Sequence, residues 1–175
     1  MVRFKQTERY QNLIEEKVFI DNYIKSWSHT PYPPTFSTVD AIVIQSGHIL
    51  LVQRKEQPGK DLWAMPGGFI KIDETLEESC IRELREETKL KVPVPVIKGS
   101  IVKNRTFDNP RRSLRGRTIT QAFLIQLKNE EPLPKVKGND DAKEAEWKTL
   151  IEFYDMETVM YEDHYHIIKK MIDNE

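Results

Sequence analysis

Only one cysteine, Cys80, occurs among the 175 residues. That excludes an intramolecular disulfide and argues against a Cys-rich zinc site, and a reducing compartment suits such a chain. No apolar run approaches the roughly 18 residues that a membrane-spanning helix needs. The opening stretch, MVRFKQTERY, lacks the apolar core of a secretory signal, so the expected setting is cytoplasmic, with no membrane partner. Net charge is also scarce. The 27 basic and 28 acidic residues leave −1, which gives no whole-chain reason to expect a nucleic-acid partner. Internal repeats and low-complexity tracts are missing too. What remains is a lean mixture, 38% apolar and 31% charged, too interspersed for disorder. A chain of this length is about one domain's worth and buries roughly 70% of its unfolded surface.

The near-zero total conceals two opposed clusters. Seven carboxylates lie between Asp73 and Glu87 against Arg82 and Arg85, and six cations lie between Lys103 and Arg117 against Asp108 alone. Carboxylates gather divalent cations and arginines gather phosphates. Together they suggest a metal-assisted phosphate site, against the plainer reading of two solvated faces of opposite sign.

Residues 7–27 read as a helix, with Tyr10, Leu13, Ile14, Val18 and Ile24 near helical spacing. Pro31, Pro33 and Pro34 then force extended chain, which separates an N-terminal helix and linker (1–34) from a main body (35–175). Residues 38–45 and 48–54 read as strands joined by Ser46-Gly47, a two-residue hairpin signal. Residues 75–88 hold no glycine or proline, and Leu76, Cys80, Leu84 and Thr88 recur at steps of four, predicting an amphipathic helix. Asp73-Glu74-Thr75 supplies a cap. Short β-like pieces broken by Pro93 and Pro95 are expected over 92–103, a loop over 104–117, a strand over 118–127, an acidic loop over 128–146 and a helix over 155–172. Strands mixed with helices predict an α/β or α+β fold.

On the helix at 75–88, residues three and four apart are neighbours, so Glu83, Glu86 and Glu87 converge on one patch. Like charges at that spacing cost a few tenths of a kcal/mol per pair unless compensated, and a divalent cation is the obvious compensation. A solvated acidic face would carry lysines at i,i+4, and none stands between Lys71 and Lys89. Just upstream, Pro66-Gly67-Gly68 leaves backbone uncovered, so that a carbonyl there can approach a metal. Cys80, on the apolar stripe, reads as a buried, inert thiol. His164 and His166, two apart on a helix, point to different faces and make no metal pair.

Gly68, five residues, Glu74, seven residues, then Arg82-Glu83-Leu84-x-Glu86-Glu87-x-Lys89-Leu90 resembles the Nudix box, G-x5-E-x7-R-E-U-x-E-E-x-G-U. One position departs: Lys89 stands where the pattern has its second glycine, at the helix exit. The stretches SWSHTPYPPTFSTVDAIVIQSGHILLVQR, PGKDLWAMPGGF and FDNPRRSLRGRTITQAF are similar to the Nudix domain of bifunctional nicotinamide-mononucleotide adenylyltransferase/ADP-ribose pyrophosphatases. No adenylyltransferase HxGH signature accompanies them. The resemblance therefore implies either a domain fused natively to an N-terminal adenylyltransferase or a stand-alone relative.

The resemblance implies a Nudix α/β/α sandwich with a mixed central sheet and an N-terminal helical extension. It further implies hydrolysis of ADP-ribose to AMP and ribose 5-phosphate with Mg2+ or Mn2+, by a homodimer. By matched position, Glu83, Glu86 and Glu87, with a carbonyl at Gly67, are the expected metal ligands. Glu74 and Arg82 stand behind them. Arg54, Arg105, Arg112, Arg115 and Arg117 are candidates for substrate phosphate or ribose, Arg54 equally for a surface ion pair. Phe107, Trp27 and Tyr32 are candidates for adenine stacking, each against plain packing. A separate general base is expected from Asp140, Asp141 or Glu144. Two other readings stay open: a hydrolase of another nucleoside diphosphate derivative, and a non-catalytic ADP-ribose sensor.

Overall fold

The computed structural model describes residues 2–129 and 132–173, with side chains from residue 8 onward; Glu130 and Glu131 of the expected acidic loop lie outside the described residues. A long first helix, α1 (Val2–Ser26), leads into β1 (Thr35–Gln45) and β2 (His48–Arg54). Ser46 and Gly47 turn the hairpin with φ of 49° and 71°, the left-handed pair that matches strand twist. β1 and β2 pair only beside that turn, at Ile44↔Ile49 and Gln45↔His48. Beyond it they part. β4 (Gly67–Phe69) takes the freed edge of β1, while β3 (Trp63–Ala64) and β7 (Ala142–Thr149) flank β2. On its other side β1 runs parallel to β6 (Arg117–Gln126), which pairs antiparallel with the edge strand β5 (Ile101–Phe107). The sheet is therefore mixed.

Alternation along β1 sends Val39, Ala41 and Val43 to one face and Ile42 to the other, and Leu50 sits opposite in sense to Ile49 and Leu51. The first face packs on Cys80, Ile81 and Leu84 of α2 (Leu76–Thr88) and on Ile97 of α3 (Val94–Gly99). The second packs on Phe153 of α4 (Leu150–Tyr154) and on Tyr165, Ile167, Ile168 and Met171 of α5 (His164–Ile172). Helices thus cover both faces of a mixed sheet. Among the described residues no helix is long and apolar enough to cross a membrane.

Several elements depart from the sequence expectation. Pro93 and Pro95 open α3 rather than breaking strands, because proline's fixed φ suits a helix's first turn. The loop expected over 104–117 begins only after Phe107, since β5 pairs down to Phe107↔Thr120. The acidic loop ends at Ala142, where β7 begins. The expected helix over 155–172 is a 3₁₀ turn at 157–159 followed by α5. Leu76 is 40% exposed and leaves the apolar stripe, whereas Cys80, Leu84 and Thr88 are buried. On α1 the apolar side chains Tyr10, Leu13, Val18 and Ile24 are each more than half exposed.

Candidate active site

The carboxylates are set by α2. Thr75 caps it with a complete capping box: its hydroxyl accepts the Glu78 N–H, and the Glu78 carboxylate accepts the Thr75 N–H. Lys89 ends it in the left-handed conformation at φ 53°, so the helix exit that a glycine would ease survives on lysine. The loop at 137–139 closes over this end, with Lys137 N–H donating to Thr88 O and Asn139 N–H to Glu87 O, each at 2.9 Å. That contact carries Asp140 and Asp141 to the same place.

Two glycines let the opposite wall approach. A Cβ on Gly68 would stand 2.7 Å from the Glu83 carboxyl carbon, and one on Gly67 would stand 2.2 Å from the Val39 carbonyl oxygen. Gly67 donates its amide N–H to Glu87 Oε2 at 3.0 Å. Arg82 is the bracket of the cluster. Its Nε lies 2.8 Å from both oxygens of Glu74, and its Nη1 donates to Glu83 Oε1 at 2.7 Å and to Glu86 Oε2 at 3.0 Å. Burial raises the pKa of Glu83 and pushes that of Glu87 up to about 8, and each carboxylate's charge also works against ionisation of its neighbours.

One cleft of about 430 Å³ is lined by Glu83, Glu86 and Glu87 together with Gly67, Arg82, Arg54, Arg112, Arg115, Asp140 and Asp141. Arg54 donates Nε–H to the Pro58 carbonyl at 2.7 Å and lies 4.3 Å from the ring centre of Tyr161. Arg115 stands 5.2 Å from the ring centre of Phe69, and its buried Nε has no hydrogen-bond acceptor among the described residues. Arg112 is committed elsewhere: its side chain is 3% exposed and grips both oxygens of Asp163 at 2.9 and 3.1 Å. It holds the 109–116 loop on the start of α5.

Other expected residues are elsewhere. Arg105, Phe107 and Arg117 line a separate depression of about 770 Å³ with Lys170. Arg105 lies on the edge strand β5, and Gly116, at φ 130°, breaks the extended run so that Arg117 turns to the Asp108 carbonyl. Glu144 is exposed in β7 opposite Gln53 and is not among the cleft residues. Trp27 and Tyr32 are 39% and 80% exposed, neither in the cleft nor in the core. Cys80 is buried, and burial raises its thiol pKa.

Three cleft residues have no local sequence signal. Asp40, buried on β1, accepts the Thr120 hydroxyl at 2.6 Å, and burial raises its pKa. His164 accepts the Met65 N–H on Nδ1 at 3.1 Å, and burial lowers its pKa to about 3, so the ring is neutral with its proton on Nε2. Tyr161 is buried beside Arg54, and burial raises the pKa of its hydroxyl. His166 is exposed, so the two histidines do diverge.

Among the described residues, no three His, Cys, Asp or Glu side chains form a ready-made metal cage. The donor set nonetheless fits a hard divalent cation. Glu87 is buried and Glu83 half-buried, their charges repel, and magnesium commonly takes one or two carboxylates together with waters and substrate phosphates.

Comparison with known proteins agrees with this geometry. A family model described as NUDIX domain matches residues 34–172. A crystal structure of a bifunctional NMN adenylyltransferase/ADP ribose pyrophosphatase from Francisella tularensis, complexed with AMP and a Mn ion, superposes with a TM-score of 0.94 at 41% identity, over 99% of this chain and 51% of that one. The chain thus spans about half the length of that solved protein. An ADP-ribose pyrophosphatase of Methanocaldococcus jannaschii is 37% identical over 75% of this chain and 69% of its own. The ADPR responsive transcriptional repressor NtrR of Acinetobacter baylyi is 27% identical over 91% of this chain and 60% of its own.

Proposed function

This chain belongs to the NUDIX family, and on that premise we propose that it is a divalent-metal-dependent pyrophosphohydrolase cleaving ADP-ribose to AMP and ribose 5-phosphate. The observation that carries the reading is the single cleft in which the Glu83, Glu86 and Glu87 cluster shares space with Arg54 and Arg115. The similarity to two ADP-ribose pyrophosphatases supports the choice of substrate. A domain fused to an adenylyltransferase is proposed on the same similarity.

Glu83 and Glu87, with Glu86 at their side, are the groups to hold Mg2+ or Mn2+, which when bound neutralises diphosphate charge and acidifies water. Arg82 keeps Glu83 and Glu86 aimed and the Gly67 amide holds Glu87, as outer-sphere partners do at metal sites. The Nη groups of Arg54 and Arg115 receive phosphate oxygens of the bound diphosphate, and the bridging P–O bond breaks with a phosphate monoester leaving. Water supplies the new P–O bond, and its proton goes to a carboxylate oxygen of Asp141 or Asp140, the neighbouring acids that the 137–139 loop brings to the cleft.

AMP release from ADP-ribose with Mg2+ and then Mn2+ tests this, wild type against Glu83→Gln and Glu87→Gln. Each variant should lose at least about 100-fold in turnover while keeping its fold. Tight ADP-ribose binding without turnover in the wild type would instead favour the sensor reading that the repressor's similarity keeps alive. Turnover of a different nucleoside diphosphate derivative would keep the chemistry and change the substrate.

A further inference from the structure

Among the described residues, two sets of contacts join the N-terminal segment to the body, and each leads to a cleft arginine. Near the middle of α1, Glu16 Oε1 accepts the Gly59 N–H at 3.0 Å and the Asn12 carbonyl accepts Gln57 Nε2–H at 3.3 Å. The loop held in this way presents the Pro58 carbonyl to Arg54 Nε. Gly59, at φ 71°, lies so close under Tyr161 that a Cβ there would stand 2.2 Å from its ring, and Arg54 rests on the other part of that seat. Toward the helix's end, Tyr23 and Trp27 meet Phe36 with ring centres 5.7 and 5.5 Å apart. Phe36 meets Phe69 at 5.9 Å, and Phe69 is the ring beside Arg115.

A phosphate-binding arginine held in advance forfeits less conformational freedom when the anion arrives. With Nε engaged and one face on a ring, Arg54 has its Nη groups left for a ligand. We propose that α1 is a working part of the substrate site, with Glu16 and Phe36 as positioning residues that set Arg54 and Arg115 for the substrate's phosphates. This rests on the reading of the cleft as a diphosphate site, and the two are separated by the choice of variants.

Steady-state hydrolysis of ADP-ribose with Mg2+ is compared for the wild type, Arg54→Ala, Glu16→Ala, Glu16→Gln and the Arg54→Ala/Glu16→Ala pair, with thermal midpoints as a check on folding. Glu16→Ala should raise KM about three- to tenfold with kcat nearly unchanged. Glu16→Gln, whose amide oxygen still accepts the Gly59 N–H, should restore KM. In the Arg54→Ala background, Glu16→Ala should add nothing. Phe36→Ala should raise KM likewise, and adding it to Arg115→Ala should have no further effect. Wild-type KM in both Glu16→Ala and Phe36→Ala, or full additivity in the double variants, would overturn the inference while leaving the cleft's function standing. Wild-type KM in Arg54→Ala and Arg115→Ala would sink the diphosphate reading itself, and the inference with it.

Discussion

Glu87 sets burial against charge. The residue is 7% exposed, and its pKa of about 8 follows first from that burial. The folded state therefore holds the proton more tightly than the unfolded chain does. The stability contributed is complete below an unfolded carboxylate's value, near 4.5, and is lost as pH rises through about 8. His164 has the opposite sign. It is buried neutral with a pKa of about 3, so its contribution is present above 6.5 and falls away as pH drops from 6.5 toward 3. Between pH 6.5 and 8.5, of these two groups, only Glu87 changes its charge. Urea denaturation of chelator-treated protein should show a loss of about 2 kcal/mol over that window. Glu87→Gln should flatten it, and added Mg2+ should restore stability at the alkaline end. Equal slopes in wild type and variant would refute the assignment.

α2 illustrates how an element can satisfy a pattern with a residue outside it. Lys89 sits at φ 53°, a conformation that burdens a residue bearing a Cβ by about 1–2 kcal/mol and glycine hardly at all. Lys89→Gly should therefore stabilise the protein by about 0.5–1 kcal/mol after the extra freedom of the unfolded glycine is subtracted. A thermal midpoint about 1–4 °C higher, with turnover unchanged, is the expected result; a lower midpoint would mean that the lysine is held there by more than the backbone. The same helix was legible in the sequence because its cap, its stripe and its carboxylates are all local. The hairpin at Ser46-Gly47 was legible for the same reason. β5 and β7 were not, because Lys103, Asn104, Arg105, Lys143 and Glu144 carry little β propensity and become strand only by pairing with β6 and β2. The site divides in the same way. The box residues announce themselves at fixed spacing, whereas Asp40, Tyr161 and His164 join it only when separate strands and α5 meet, a placement no local pattern encodes.

For the whole molecule, the exposed Tyr10, Leu13, Val18 and Ile24 on α1 leave apolar area for a second copy to cover, in keeping with the homodimer that the resemblance implies. Size-exclusion with light scattering should give twice the 20.6 kDa chain mass, and a clean monomer at micromolar concentration would dispose of it. The parallel ladder from Thr35↔Arg117 to Ile44↔Gln126 has a different kind of consequence. It ties Asp40 to Thr120 across 80 residues of chain, whereas the hairpin and α2 form from near neighbours. Long-range closures of this kind are the slow part of folding. A refolding chain therefore acquires its helices and its turn first, while the carboxylates and the arginines are still strangers; catalytic competence appears late and all at once, when β6 finds β1.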